Sequence, residues 1–241
     1  MKQSVCYYQK YFTFANSNPI GQMKKQIFKS VLFGSLALLT VSIILISCGK
    51  ENAYSQYKSG SAKYQLKDYK GAVSDFTKAI ELDPKYTKAY YSRAICESKL
   101  GKHENALNDF NMVTELDPLN KDAFFNRAYY VKQEMGDFKS AVDDYIVFLD
   151  LNRDGENAFA YNNLAWCKFM LHDTTGALKD VTTSIQLDSA NSLAYKNRAE
   201  FFISSNNLTK ACEDLNKAIE LGFTKKYGEK AIQLQARYCA E

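Results

Sequence analysis

The chain has 241 residues, 46% hydrophobic and 24% charged, with three prolines and eleven glycines, which excludes a disordered or collagen-like chain and allows one or two ordinary domains. The formal net charge of +4 is unevenly placed: residues 1–47 hold five lysines (Lys2, Lys10, Lys24, Lys25, Lys29) and no acid, leaving 26 basic against 27 acidic residues from position 48 onward. A near-neutral remainder without a basic stripe argues against a nucleic-acid partner.

The first predicted element is a leader. Met23-Lys24-Lys25 precedes an uncharged apolar run from Val31 to Ile46 that closes as Leu45-Ile46-Ser47-Cys48, the order of a basic n-region and a hydrophobic h-region. The closing residues resemble the lipobox of bacterial lipoproteins, where cleavage precedes a cysteine whose thiol has been diacylated. The resemblance implies a signal peptide over 23–47, lipid on Cys48, a short tether over 48–52, and a place at a membrane of the bacterial cell envelope, on the periplasmic face or at the outer membrane. Stable anchoring takes more than one acyl chain, which a diacylated cysteine supplies. The alternative is a single N-terminal transmembrane helix, since the stretch from 30 to 49 is long enough to span a bilayer. Either way the lysines on its N-terminal side place the remainder outside the cytoplasmic membrane. Residues 1–22 sit ahead of a natural n-region, so translation is expected to start at Met23, with 1–22 a non-native extension.

Next comes a repeat. Ala72-Val-Ser-Asp-Phe76-Thr-Lys-Ala79-Ile-Glu-Leu-Asp-Pro84 recurs 34 residues on as Ala106-Leu-Asn-Asp-Phe110-Asn-Met-Val113-Thr-Glu-Leu-Asp-Pro118. The same frame holds Ala141 with Tyr145, Ala177 with Val181, and Ala211 with Leu215. A second cluster runs Tyr90-Tyr-Ser-Arg-Ala94, Phe124-Phe-Asn-Arg-Ala128, Tyr161-Asn-Asn-Leu-Ala165 and Tyr195-Lys-Asn-Arg-Ala199, at offsets of 34, 37 and 34.

This pattern resembles the tetratricopeptide-repeat family, whose unit is a 34-residue helix–turn–helix with small, aromatic, alanine and proline positions in fixed phase. The implied fold is all-α: a right-handed alpha-alpha superhelix of five hairpins and a C-terminal capping helix. Repeat boundaries fall at 53–86, 87–120, 121–157, 158–191 and 192–225, with the cap over 226–241, where Ile232, Leu234 and Tyr238 can supply an apolar side. Repeat 3 departs from the pattern, with one extra residue before Gly136 and Asn152-Arg-Asp-Gly155 where a proline is expected. Small residues at 72, 106, 141, 177 and 211 let two helices cross closely, and Phe76, Phe110, Tyr145 and Leu215 fill the hollows between hairpins. No single repeat buries its apolar face, so neighbours complete the core.

Several recurring polar residues look chemical. Asp75, Asp109, Asp144, Asp180 and Asp214 occur once per repeat, and Arg93, Arg127 and Arg198 recur in the first helices. One carboxylate per repeat along a spine suits a structural Asp–Arg ladder between helices better than a two-carboxylate catalytic pair. The two histidines, His103 and His172, fall in turns of different repeats, and no H-E-x-x-H, glycine-rich phosphate loop or G-x-S-x-G occurs. We therefore expect no enzyme, no cofactor and no metal. Cys96 and Cys167 read as small buried hydrophobes. Cys212 lies in the last hairpin and Cys239 in the cap that should cover it; in an oxidising envelope a disulfide would pin the cap, with two unpaired thiols the alternative. Asp173-Thr174-Thr175 and Asp188-Ser189-Ala190 resemble the O-glycosylation acceptor of Bacteroidota.

The family resemblance implies that first helices line a concave groove. Residues one position on from the inward-packed Tyr90–Arg93–Ala94 face then look into it: Tyr57 and Tyr64, Lys88, Tyr91 and Ile95, Phe125, Asn126 and Tyr129, Asn162, Asn163, Trp166, Phe169 and Met170, and Asn197. Lys132 belongs to the same face. So many rings on an open wall point to a protein or peptide partner, with asparagines reading its backbone. The competing reading makes Tyr57, Tyr91 and Phe125 half core. The expected function is an interaction scaffold held at the envelope by lipid; the alternative is an accessory subunit of a secretion, outer-membrane assembly or polysaccharide machine.

Overall fold

A computed structural model of the protein describes residues 52–152 and 157–239. The leader, Cys48 and Arg153–Glu156 lie outside the described residues. Among those described there are twelve α-helices, one π-helical turn and no strand. The odd-numbered first helices are α1 (Ala53–Gln65), α3 (Thr87–Lys99), α5 (Lys121–Arg127), α7 (Ala158–Met170) and α9 (Ser192–Ser204). The even-numbered second helices are α2 (Tyr69–Leu82), α4 (His103–Leu116), α6 (Phe138–Leu151), α8 (Thr174–Leu187) and α10 (Leu208–Glu220). Two short helices close the chain, α11 (Phe223–Tyr227) and α12 (Lys230–Tyr238). No helix among the described residues is long and apolar enough to cross a membrane.

The hairpins form because each helix has a start and a stop written locally. Asn52, Asn120, Asn157 and Asn191 cap first helices by accepting a hydrogen bond from the third helical N–H, and Asp68, Asp137, Asp173 and Asn207 do the same for second helices. Asp173, of the first acceptor-like triplet, is thereby a cap. Each first helix ends in a turn with one left-handed residue: Lys67, Gly101, Gly136, His172 and Asn206. Glycine suits that conformation, and asparagine tolerates it. Repeat 2 lacks both caps, with Tyr86 and Lys102 at the capping positions. Tyr86 is instead committed to packing, its ring 5.2 Å from that of Tyr57.

Packing follows the repeat. Ala72, Ala106, Ala141, Ala177 and Ala211 are all fully buried, as are Phe110, Tyr145, Val181 and Leu215, each large side chain contributing roughly 2–3 kcal/mol by leaving water. A further alanine row, Ala89, Ala123, Ala160 and Ala194, is also fully buried in the first helices. The core is thus a string of clusters, each shared by adjacent hairpins.

The aspartates pair within hairpins. Arg93 forks onto Asp109, Arg127 onto Asp144 and Arg198 onto Asp214, with N–O distances of 2.7–2.8 Å. The expected all-arginine ladder needs correction at two rungs. Repeat 1 has Ser59 at the arginine position and repeat 4 has Leu164, so lysines one turn later take over: Lys63 reaches Asp75 at 2.7 Å and Lys168 reaches Asp180 at 2.6 Å. Lys132 does likewise, 2.8 Å from Asp144 and bonded to the Ser140 carbonyl, which removes it from the groove where the sequence placed it.

The extra residue of repeat 3 is absorbed inside its first helix as a π-turn over Ala128–Lys132, closed by Gln133 N–H to Ala128 C=O. The His103 ring nitrogen Nδ1 lies 3.1 Å from the Tyr130 carbonyl oxygen, so Nδ1 carries the proton and this histidine has a structural task. The cap also differs from a single helix over 226–241: Gly228, at φ 86°, breaks it between α11 and α12. Ala231 is buried there and Leu234 packs with it, while Ile232 faces solvent. Cys212 and Cys239 are joined by a disulfide, and Cys96 and Cys167 are free and buried.

Candidate functional site

On the first-helix face of repeats 1–3 a cavity of about 410 Å³ opens between α1, α3 and the start of repeat 3. The 34-residue period sets it: Tyr57 and Tyr91 stand one repeat apart, and Asn126 follows 35 residues after Tyr91, so three successive hairpins each present one wall. Tyr64 and Ile95 complete the set of expected residues around it, and Phe76 forms the floor. Tyr57 leans on Phe76 at 5.6 Å between ring centroids, and Tyr91 meets Phe110 edge-on at 6.0 Å. These two rings are therefore both core and wall.

Asn126 Nδ2 donates to the Tyr91 hydroxyl. The Tyr91 oxygen acts as acceptor there, which leaves its own proton to donate elsewhere, and the Asn126 carbonyl oxygen remains an acceptor. Burial pushes the Tyr91 phenol up to about 12, with Asp122 adding to the push, so it stays a neutral hydroxyl at physiological pH. Ser61, Gln65, Ser92 and Tyr130 bring further hydrogen-bonding groups, and among the described residues no charged side chain lines the cavity. A second hollow of about 430 Å³ shares Tyr57, Tyr91 and Ser92 and is bounded by Lys88, Asp117 and Asp122. Polarity along the face therefore changes from neutral and aromatic to charged within one repeat.

The remaining expected residues do not join this site. Phe125 and Tyr129 stack on each other at 6.0 Å and Phe125 also meets Tyr145, Phe148 and Phe159, which fills that part of the face from within. Trp166 and Phe169 cluster on Phe201, with the Lys196 ammonium 5.3 Å over the indole; Met170 is exposed at the end of α7. Asn162, Asn163 and Asn197 are corrected from groove to core: Asn162 is 1% exposed, and Asn197 Nδ2 donates to its Oδ1 at 2.9 Å across the α7–α9 seam. A buried amide needs its partner inside the protein, and here the partner is another asparagine one repeat away.

Sequence reasoning missed Tyr130, Ser61, Gln65 and Ser92. The extra residue before Gly136 was the one signal for Tyr130, but its absorption as a π-turn, which brings Tyr130 into the cavity wall beside Tyr129, has no mark in the sequence pattern. Among the described residues no group of three or more histidines, cysteines or acids is placed to hold a metal ion.

Comparison with known proteins agrees with this architecture. The sequence profile described as tetratricopeptide repeat matches residues 53–86, and a second profile of the same description matches 76–108. No curated protein matches the chain in sequence. In structure the chain is similar to YrrB, described as a TPR protein with an unusual peptide-binding site, at 20% identity and a TM-score of 0.69 over 80% of this chain and 97% of that one. It is also similar to MamA from Desulfovibrio magneticus RS-1, at 14% identity and 0.67 over 71% and 96%. Pseudomonas aeruginosa pilF gives 14% and 0.61 over 78% and 93%. At these identities the likeness is one of fold: the described part of the chain is a tetratricopeptide-repeat solenoid.

Proposed function

We propose that this tetratricopeptide-repeat solenoid is a non-catalytic interaction scaffold that seats a peptide segment of a partner protein in the neutral tyrosine-lined cavity of repeats 1–3, and that a diacylated Cys48 holds it at the bacterial cell envelope. The solenoid fold supports the general reading, because stacked hairpins create an extended surface of first helices on which a partner can be seated. The cavity carries the specific one. Tyrosines supply large apolar contact with little loss of side-chain freedom, and their hydroxyls, with Asn126 and Gln65, suit the alternating donors and acceptors of a peptide backbone. Absence of charge on the lining selects an uncharged segment, since an ionised side chain entering there would lose its hydration without a counter-charge. The leader supports the membrane attachment, through its basic start, apolar run and Leu45–Cys48 ending.

Photo-crosslinking in intact cells tests the first part. A benzoylphenylalanine at position 64, in the cavity, is expected to capture one discrete protein, while the same group at exposed Ser74 on α2 captures none. Tyr91→Ala combined with Asn126→Ala should abolish the adduct while the helical circular dichroism is retained. Equal capture at both positions, or capture that survives the double variant, would remove the cavity from the account. For the anchor, the unmodified protein is expected to incorporate labelled fatty acid and Cys48→Ser to lose the label; an unmodified protein that takes up no label would favour an uncleaved transmembrane leader.

A further inference from the structure

One stripe of α1 departs from the pattern of the other first helices. Five residues before and two after their small crossing residue, the later repeats bury an apolar side chain at the seam with the preceding hairpin. These are Ala89 and Cys96, Ala160 and Cys167, Ala194 and Phe201, and, shifted by the π-turn, Ala123 and Val131, all fully buried. Counted from Gly60, the same positions in repeat 1 are Ser55 and Ala62, and both are exposed. Lys58 and Leu66 continue this stripe at helical spacing, and Leu66 is 80% exposed. Small and polar groups thus stand where a seam between hairpins needs apolar bulk, which suits contact with a polar surface better than with another hairpin.

Charge is distributed to match. From Ala53 to Gly71 there are four lysines, Lys58, Lys63, Lys67 and Lys70, against Asp68 alone, and α1 itself holds no acid. Residues 72–241 carry 21 basic and 25 acidic groups, so the chain is positive at its first helix and negative over the rest. Lys63 is committed to Asp75 at 2.7 Å. Lys58, Lys67 and Lys70 are exposed and make no ion pair among the described residues. The covalent chain adds a constraint. Cys48 lies five residues ahead of Ala53, a reach of about 17 Å when fully extended. An anchor at Cys48 therefore keeps the start of α1 within roughly two Debye lengths of the headgroups at physiological salt.

We propose that this stripe of α1 and the turn after it, with Lys58, Leu66, Lys67 and Lys70, form a membrane-facing surface that rests on anionic phospholipid headgroups, the lysines on lipid phosphates and Leu66 entering the interface between them. The proposal rests on the membrane attachment argued above. Ser55 and Ala62 let the headgroup plane approach, and the lysines deliver their charge on long apolar stems. Each basic group close to an anionic leaflet adds to the attraction, while the negative remainder of the chain is repelled by the same leaflet. The solenoid is thereby oriented on its tether instead of tumbling. Tyr64 and Gln65 of the same helix line the tyrosine cavity, so the segment seated there is one that the partner presents close to the lipid surface.

Photo-crosslinking to lipid tests it, with the full-length protein purified from membranes and reconstituted in vesicles of phosphatidylglycerol and phosphatidylethanolamine. A benzoylphenylalanine at position 66 is expected to give phospholipid adducts by mass spectrometry, and the same group at exposed Ile232 on α12 to give none. Lys58→Gln, Lys67→Gln and Lys70→Gln together should lower the adduct at 66 by about fivefold or more, as should vesicles of phosphatidylcholine alone. Absence of the adduct at 66, equal adducts at 66 and 232, or a yield unchanged in the triple variant would each overturn the surface. Labelled fatty acid in the same preparation reads the anchor separately. Acylated protein without the adduct removes the surface and leaves the anchor, whereas unacylated protein that still gives it keeps the surface and removes the lipid on Cys48.

Discussion

Gly60 stands where the other repeats carry Ala94, Ala128, Ala165 and Ala199, and the reason is steric. A Cβ built on Gly60 would lie 2.7 Å from Cε1 of Phe76, well inside contact distance. Helix propensity alone favours alanine over glycine by about 1 kcal/mol; the ring clash reverses the sign, and we expect Gly60→Ala to lower the urea-unfolding free energy by roughly 1 kcal/mol or more. An increase would show that the Phe76 ring yields. A second residue-scale case is Asp75. Burial alone would push its carboxyl up, but hydrogen bonds from Lys63 and Ser59 outweigh it and hold the group below its ordinary 3.8. A carboxyl lowered by folding stabilises the protein above the unfolded-state value, and that contribution is lost as pH falls through the lowered one. Lys63→Met removes the pull and leaves the burial, so the Asp75 share of the acid-side decline in urea midpoint should shrink, the variant losing less stability between neutral and acid pH than the unmodified protein. Because the Lys63 side chain is 38% exposed, the effect at neutral pH should stay within about 1 kcal/mol. An acid profile that overlays that of the unmodified protein would show that Lys63 does not set it.

At the scale of single helices, capping and packing compete for the same positions. Asn191 caps α9 through the Ala194 N–H at 3.2 Å, and Asn191→Ala is expected to cost about 1 kcal/mol. Tyr86 occupies the equivalent position ahead of α3 without capping it. Tyr86→Asn should return the cap yet lower stability overall, because the lost ring contacts with Tyr57 outweigh one cap by about 1 kcal/mol; matched urea titrations of the two variants decide this. The π-turn of Ala128–Lys132 shows the same trade. The irregular turn lets Lys132 reach Asp144 beside Arg127 and sets Tyr130 into the cavity wall, while His103 occupies the carbonyl that the irregular turn exposes. A local break in helical regularity is thus coupled to the shape of the candidate site.

Across the whole solenoid, stability is close to one-dimensional, because each hairpin completes only its neighbours. After the fifth hairpin, α12, tied through Cys239 to Cys212 over 27 residues, packs on α10 and covers the end of the last described hairpin. Cys239→Ser should cost the cap roughly 3 kcal/mol, and the loss should be local: amide exchange is expected to quicken in α12 and α10 and to stay unchanged in α1 to α4. Uniform acceleration along the chain would mean that the solenoid unfolds as one unit.

Repetition is what made the architecture readable in the sequence. Ala72, Ala106, Ala141, Ala177 and Ala211, with the core residue four positions on, recur in phase, and a phase shared over five units has few structural solutions; hence the hairpins, their crossing points and the face that stays open were determined by sequence alone. Within the site, Tyr57, Tyr64, Tyr91, Ile95 and Asn126 were reached by the same periodicity. What the tertiary structure decided is where that period fails or where two surfaces share one residue. Asn162 and Asn197 follow the groove register but turn to each other, since a hydrogen bond between two buried amides depends on partners a repeat apart. The inserted residue entered α5's continuation rather than a loop, and the missing arginines at Ser59 and Leu164 were replaced by lysines one turn later. Periodicity specifies direction from a helix axis; only the packed neighbour determines whether the space in that direction is open or already filled.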